Sequence, residues 1–289
     1  MSTPAFAQLL DSNGLKIEES LLFPESTIQF WHSNIIDSSG HSLGAGFGKD
    51  RLYARKIACA EFLERRKFRE IAAESNHERD SWGLNQIPTA CGFAAGFDRT
   101  NTIIRSVTEA TERWVMSKWI DDDCKIDEIS YATITNELDE ASKFMASQFE
   151  SVRLFKKNVS LKLGDMPVEI CVAQTFGLLN DGIYPGSSAQ AAVGPIWQHA
   201  FLESFRHLLF VRNNPVRPDR FPDDKIHFFS KNASVALAQI DRTKGNPWPT
   251  PVIGFHRIEH FEDFNFFLAR TILNGWSSWN LGPMTRFLY

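Results

Sequence analysis

The chain has 289 residues, 43% apolar and 23% charged, enough to bury a substantial core in one large domain or two small ones. Thirty-one basic residues against 35 acidic ones leave a net charge of −4, which excludes the strongly basic footprint of a nucleic-acid binder. No apolar run reaches the roughly 18 residues of a membrane span, and the start, Met1 to Leu10, lacks the basic and long apolar stretches of a signal peptide. The expectation is a cytoplasmic protein with neither nucleic acid nor membrane as partner. With 24 Phe and 8 Trp against only 4 Tyr, its interior is expected to be thick and aromatic. Cys59, Cys91, Cys124 and Cys171 lie far apart without metal-type spacing, and read as buried small hydrophobes of a reducing compartment.

In chain order, Ser42-Leu-Gly44-Ala-Gly46-Phe-Gly48 reads as a small-residue loop feeding a helix from Arg51 to about Ala73. Gly92-Phe-Ala94-Ala95-Gly96 reads as a second such loop, ahead of a helix from Thr100 to Trp119. The run Asp121–Asp123 reads as a solvated turn, with a basic leader peptide as its functional alternative. Leu154 to Leu163 alternates as a strand does, and Val168, Ile170 and Val172 continue the pattern. Gly186 to Gly194 is a third small-residue loop, before a helix from Pro195 to Arg212. Ser234–Ile240 and Pro251–Phe255 read as strands, and His260 to about Leu273 as a helix whose Phe-rich start, Phe261–Phe267, serves core or dimer interface. The mixture predicts an α/β (α+β) fold with helices packed on a largely antiparallel or mixed sheet. No linker divides it, so a single domain over 1–289 is expected.

An internal repeat carries the chemistry. Gly48-Lys-Asp-Arg, then Glu61-Phe-Leu-Glu64-Arg65, recurs 48 residues later as Gly96-Phe-Asp-Arg, then Glu109-Ala-Thr-Glu112-Arg113. A weaker third copy keeps Ala200 and Glu203 but has Arg206 in place of the second Glu. On a helix, Ala54, Ala58, Glu61 and Arg65 share a narrow face, with Glu64 to one side. Small residues ahead of the Glu leave room for another helix or a ligand to approach. Carboxylates gathered this way repel one another unless cations neutralise them. Mg²⁺ suits such a set, since it prefers oxygen and takes one or two carboxylates plus substrate phosphates. Arg65 and Arg113 supply planar donors for phosphate oxygens. The small-residue segments would let backbone N–H groups reach an anion at a helix N-terminus. A plain solvated face with i,i+4 ion pairs is the competing explanation of each single copy.

In order and spacing these segments, Ser42–Arg65, Gly92–Arg113 and Gly186–Arg206, resemble the YcaO superfamily over roughly residues 40–212. The resemblance implies an ATP-binding fold unlike P-loops and kinases, with ATP and Mg²⁺ as cofactors. It implies Glu61, Glu64, Glu109 and Glu112 as metal ligands and Arg113 as a phosphate contact. Ser42, Gly44, Gly46, Arg65, Gly92, Ala94, Ala95, Gly96, Glu203 and Arg206 complete the expected ATP site. The implied reaction activates a peptide-backbone amide oxygen, leading to heterocyclisation, thioamidation or amidine formation in a ribosomal precursor peptide. No specific catalytic residue is assigned. Ala45 stands where the family often has Lys, and His199 and Arg206 where it often has Arg and Gln. The chain ends with a single Pro rather than a proline-rich tail. Its brevity implies a separate leader-binding, TfuA-like or E1-like partner protein, and a homodimer is expected. Two other readings are a catalytically degenerate nucleotide-binding scaffold and an ATP-dependent ligase that activates a free carboxylate.

Two further patterns compete. His256-Arg-Ile-Glu259-His260 matches an inverted zinc-protease motif, which needs both imidazoles on one helix. Glu74 to His77 gives one ExxH, where a di-metal bundle needs two.

Overall fold

The computed structural model describes residues 10–11, 14–191, 196–216, 223–241, 245–278 and 282–286. The chain divides into two compact units, Met1–Val107 with Phe255–Ile272, and Thr108–Gly254 with Leu273–Tyr289.

The first unit begins with an antiparallel meander of β1 (Lys16–Leu21), β2 (Trp31–Ile36) and β3 (Ser42–Gly48). Helix α1 (Arg51–Ala73) follows, started by Asp50, whose side chain accepts the Tyr53 N–H at 2.7 Å. Helix α2 (Asn76–Ser81) then leads to strand β4 (Phe93–Gly96). β4 pairs antiparallel with β10 (Phe266–Leu273), which also borders β9 (Ile253–Phe261), in the order β4-β10-β9. Ile35, Phe62, Leu63, Trp82, Phe93, Phe266 and Leu268 close one core in this unit. Arg270 is wholly buried there because its guanidinium donates to the carbonyls of Trp82, Ile87 and Thr89 and lies 4.6 Å from the Phe93 ring centroid.

The second unit is built on an antiparallel meander of β5 (Asp127–Ile129), β6 (Ser151–Leu163), β7 (Met166–Leu179) and β8 (Gly182–Gln190). Helix α3 (Arg99–Ile120) crosses the boundary between the units and, within the second, brings Trp119 onto Phe155 and Phe176 of the sheet. Between α3 and the long strands lie two short helices, α4 (Tyr131–Ile134) and α5 (Glu140–Ala146). Helix α6 (Ile196–Asn213) covers the other face, where the Thr175 hydroxyl donates to the Ala200 carbonyl at 3.0 Å and meets the Ser204 hydroxyl at 2.7 Å. Helices α7 (Asp223–Phe229) and α8 (Ala233–Ile240) follow it.

The long helices α1, α3 and α6 and the strands β6, β7 and β9 stand where periodicity predicts them; Pro195 lies outside the described residues. Three expectations are corrected. Ser42–Gly48, Phe93–Gly96 and the start of the third segment, to Gln190, are strands rather than loops. In β3 the glycines occupy alternate positions, 44, 46 and 48, and these are the buried ones, so the backbone lies against α1. Gly92 alone keeps a turn conformation, with φ 77°.

His260–Leu273 is a hairpin rather than a helix, turning at Asn265 with φ 49°. β10 is apolar on both faces, and such a run hides its period. Phe266 is wholly buried, so this Phe-rich stretch serves the core. Ser234–Ile240 is helical instead of extended, with Ala233, Ala236 and Ile240 buried at helical spacing. The acidic run is a turn with Asp121 and Asp122 exposed, as expected, and it pairs locally: Asp121 takes a bidentate Arg286 and Asp122 takes Lys118.

The four cysteines are free, three of them buried. Among the described residues, no helix is long and apolar enough to cross a membrane.

Candidate functional site

In the first unit, the site is a strand laid flat on a helix. A Cβ on Gly44 would come within 2.6 Å of the Ala58 carbonyl oxygen and of the Phe62 nitrogen, and one on Gly46 would strike the Ala54 carbonyl. Only glycine allows this approach. It brings the Ala45 N–H to Glu61 Oε2 at 2.6 Å, while Arg65 pairs with Glu61 Oε1 at 2.5 Å. Glu64 lies half-buried one turn on. The backbone donor expected for phosphate is therefore held by a carboxylate of the same unit. Ser42 is exposed and donates to Asn34 Oδ1 at 2.7 Å.

The middle copy is built differently. Ala94 and Ala95 are buried ladder residues opposite Ala269 and Leu268. The Ser106 hydroxyl donates to the Gly92 carbonyl at 2.8 Å, and Arg105 donates to the Ala95 carbonyl at 2.8 Å. A Cβ on Gly96 would meet the Thr102 hydroxyl.

In the second unit, β8 repeats the arrangement of β3. A Cβ on Gly186 would strike the Ala200 carbonyl and lie 2.5 Å from the Ser204 nitrogen, and the Ser187 N–H reaches Glu203 Oε2 at 2.6 Å. The Ser187 hydroxyl also lies 2.8 Å from Glu112 Oε1 on α3 and 3.0 Å from Glu203 Oε2. One hydroxyl has one proton, so it cannot donate to two carboxylates. The two carboxyls are shifted in opposite directions. Burial pushes the Glu112 carboxyl up, and the Glu203 charge adds to this against the pull of Arg113. Burial opposes ionisation of Glu203 as well, but His207, Arg113, His199 and the Ser187 N–H outweigh it and bring that carboxyl down. The Ser187 hydroxyl thus lies between one carboxyl that burial pushes up and another that its neighbours bring down.

Arg113 Nη1 stands 3.4 Å from Glu112 Oε1. The His207 Nδ1–H donates to the Pro185 carbonyl at 2.7 Å, and burial holds its imidazole below the usual histidine range. His199 and Arg206 are exposed on α6, and Glu109 is half-buried on α3.

The second unit thus brings Glu112, Arg113 and Glu203 together, and the first joins Glu61 with Arg65. Ser187 and His207 complete the cluster and were not singled out by the sequence. A signal for both existed: Ser187 precedes Glu203 by 16 residues as Ala45 precedes Glu61, and His207 follows Glu203 at the position of Arg65.

The inverted zinc motif is excluded, because His256 and His260 lie on β9, a strand. No group of three His, Cys, Asp or Glu side chains among the described residues gathers into a metal cluster of its own. In the second unit two carboxyl groups and a hydroxyl supply oxygens that suit a hard cation, and the Arg113 guanidinium beside them suits phosphate oxygens arriving with it.

The structure of YcaO from Methanopyrus kandleri bound with AMPPCP and Mg²⁺ superposes with a TM-score of 0.58 at 15% identity, over 94% of this chain and 89% of that one. The chain has a YcaO-like fold. A heterocyclase in complex with substrate and cofactor matches at TM-score 0.53 and 10% identity, over 96% of this chain but 53% of its own length. The chain therefore spans about half of that heterocyclase. No family model matches the sequence, and no curated protein matches it. The YcaO-like fold is thus visible in the backbone where overall sequence similarity has faded.

Proposed function

We propose that the protein uses ATP and Mg²⁺ to activate a peptide-backbone amide oxygen, with the buried Glu112–Ser187–Glu203 cluster as the observation that carries the reading. Two carboxyl groups gathered on one hydroxyl form a place where a cation can offset their mutual repulsion. In this reading Glu112, Glu109 and Glu203 hold cation in the second unit, and Glu61 and Glu64 do so in the first. When bound, Mg²⁺ would supply positive charge that offsets the charge on the transferred phosphoryl group. Arg113, already turned to Glu112, would present its planar donors to phosphate oxygen. The Ala45 and Ser187 N–H groups fix the rotamers of Glu61 and Glu203, so the carboxylates are oriented before ligand arrives.

Chemically, the amide oxygen takes the γ-phosphoryl group as its bond to ADP breaks. The nucleophile adds at the amide carbon, and the oxygen departs as phosphate. A side-chain Cys, Ser or Thr yields a ring, sulfide a thioamide and an amine an amidine. A separate leader-binding protein and a homodimer belong to the same proposal, as does a cytoplasmic site of action.

A second reading rests on α6, where His199 and Arg206 replace the Arg and Gln expected by resemblance. There the chain binds nucleotide without turnover and serves a partner enzyme. The test is product analysis with a candidate peptide. ADP plus phosphate, formed only with peptide and accompanied by a peptide mass change, supports amide activation. AMP plus pyrophosphate overturns it in favour of adenylation, and nucleotide binding without products supports the scaffold.

A further inference from the structure

Gln174, in the middle of β7, is wholly buried, and neither its amide oxygen nor its amide nitrogen has a hydrogen-bond partner among the described residues. An apolar side chain of that shape would avoid the desolvation cost, so the amide is a burden to the ligand-free fold. Its place in the ladder shows what the amide can serve. Thr175, the next residue, turns to α6, so Gln174 and Phe176 turn to the opposite face, where Phe176 meets Trp119 of α3. Directly across the ladder stands Ser187, which shares that face, and cross-strand partners hold their Cβ atoms about 4.5–5.5 Å apart. Ser187 is the hydroxyl that bridges Glu112 and Glu203.

Resting on the function proposed above, we propose that Gln174 is a positioning residue of this cluster, and that its amide engages the Ser187 hydroxyl when Glu112 and Glu203 turn their oxygens to a cation. A hydroxyl that bridges two carboxylates loses a partner when those carboxylates are drawn to a metal. The amide opposite offers both an acceptor and a donor on the same face, which keeps Ser187, and through it Glu112, from drifting. The unpartnered amide of the ligand-free chain is then the resting half of a two-position hydrogen bond.

The experiment compares the full chain with Gln174→Met, which keeps length without hydrogen bonding. Thermal unfolding without ligand is read beside calorimetric titration with Mg²⁺ and a non-hydrolysable ATP analogue. The expected result is a melting temperature equal to or above the parent's, with affinity lower by about tenfold, the loss of one hydrogen bond. Ser142→Ala removes another buried, unpartnered hydroxyl of the same unit and should leave affinity unchanged.

Unchanged affinity in a stable Gln174→Met protein overturns the proposal, as does a variant that cannot fold, since an unpartnered amide should not be needed for folding. In the double variant with Ser187→Ala, a loss no greater than that of Ser187→Ala alone supports action through Ser187; additive losses overturn it. A parent that binds no Mg²⁺–nucleotide overturns the function proposed above and this inference with it, whereas a binding parent isolates the failure to Gln174.

Discussion

The strand–helix pairs β3–α1 and β8–α6 use one backbone device in two electrostatic settings. In both, a glycine lies on a helix whose carbonyl comes 14 residues later, and the following N–H meets a Glu 16 residues ahead. At Glu61 the remaining oxygen pairs with Arg65 at a partly open surface, the carboxylate being 26% exposed. At Glu203 the neighbours are Ser187, His207 and a second carboxylate, Glu112, in a residue only 8% exposed. An ion pair settles the first carboxylate. The second belongs to a desolvated pair with Glu112, whose carboxyl burial pushes up, and it is the more easily converted to a cation site.

Replacing the second setting should have the largest effect. Glu112→Gln keeps the shape of a carboxyl that burial pushes up, so the fold should melt within a few degrees of the parent while Mg²⁺–nucleotide affinity falls by about a hundredfold or more, as for a lost ligand group in a buried site. Full affinity by calorimetry would remove the cluster from the site.

The shared device is tested by Gly44→Ala and Gly186→Ala. Each puts a methyl into backbone that cannot give way, and each should cost about 2–4 kcal/mol in urea unfolding, at the upper end of overpacking penalties. A harmless substitution in only one unit would break the equivalence.

Arg113→Ala should weaken nucleotide affinity by about 1–3 kcal/mol. Arg65→Ala should alter stability by less than about 0.5 kcal/mol, because its i,i+4 pair is solvated.

The first unit also contains a pH-sensitive contact, at Glu19. Burial pushes Glu19 up, but hydrogen bonds from Arg55, Arg51 and Ser33 outweigh it and hold the carboxyl at about 2, below its ordinary 4.5. A depressed carboxyl stabilises the fold above its unfolded value, so this contribution is complete above about 4.5 and is lost as pH falls toward about 2. Glu19→Gln should lower stability at neutral pH by about 1–2 kcal/mol, allowing for screening of Arg51, and should flatten the acid limb of a stability–pH curve. An unchanged acid limb would assign that limb to other carboxylates.

Legibility in the sequence followed the range of the interaction. Glu61, Glu64, Glu109 and Glu112 could be placed on helices because apolar period and small-residue spacing act within one turn of chain. The alternation of β6 and β7 was equally local. The glycine segments misled because small residues suit both a loop and a strand pressed on a helix, and only the helix distinguishes them. β10 misled because burial on both faces erases alternation, and Ala233–Ile240 because a short apolar segment fits either period.

The sequence by itself determined the three Glu-bearing helices, the strand–helix alternation and the resemblance to YcaO, all of which rest on spacing along the chain. Tertiary structure decided which groups meet at the Ser187 hydroxyl. Ser187 lies 75 residues from Glu112, and Gln174 meets Ser187 only through the β7–β8 ladder. Hydrogen bonding and desolvation act across space, so the charge on Glu112 follows from what is packed around it rather than from its neighbours in the chain.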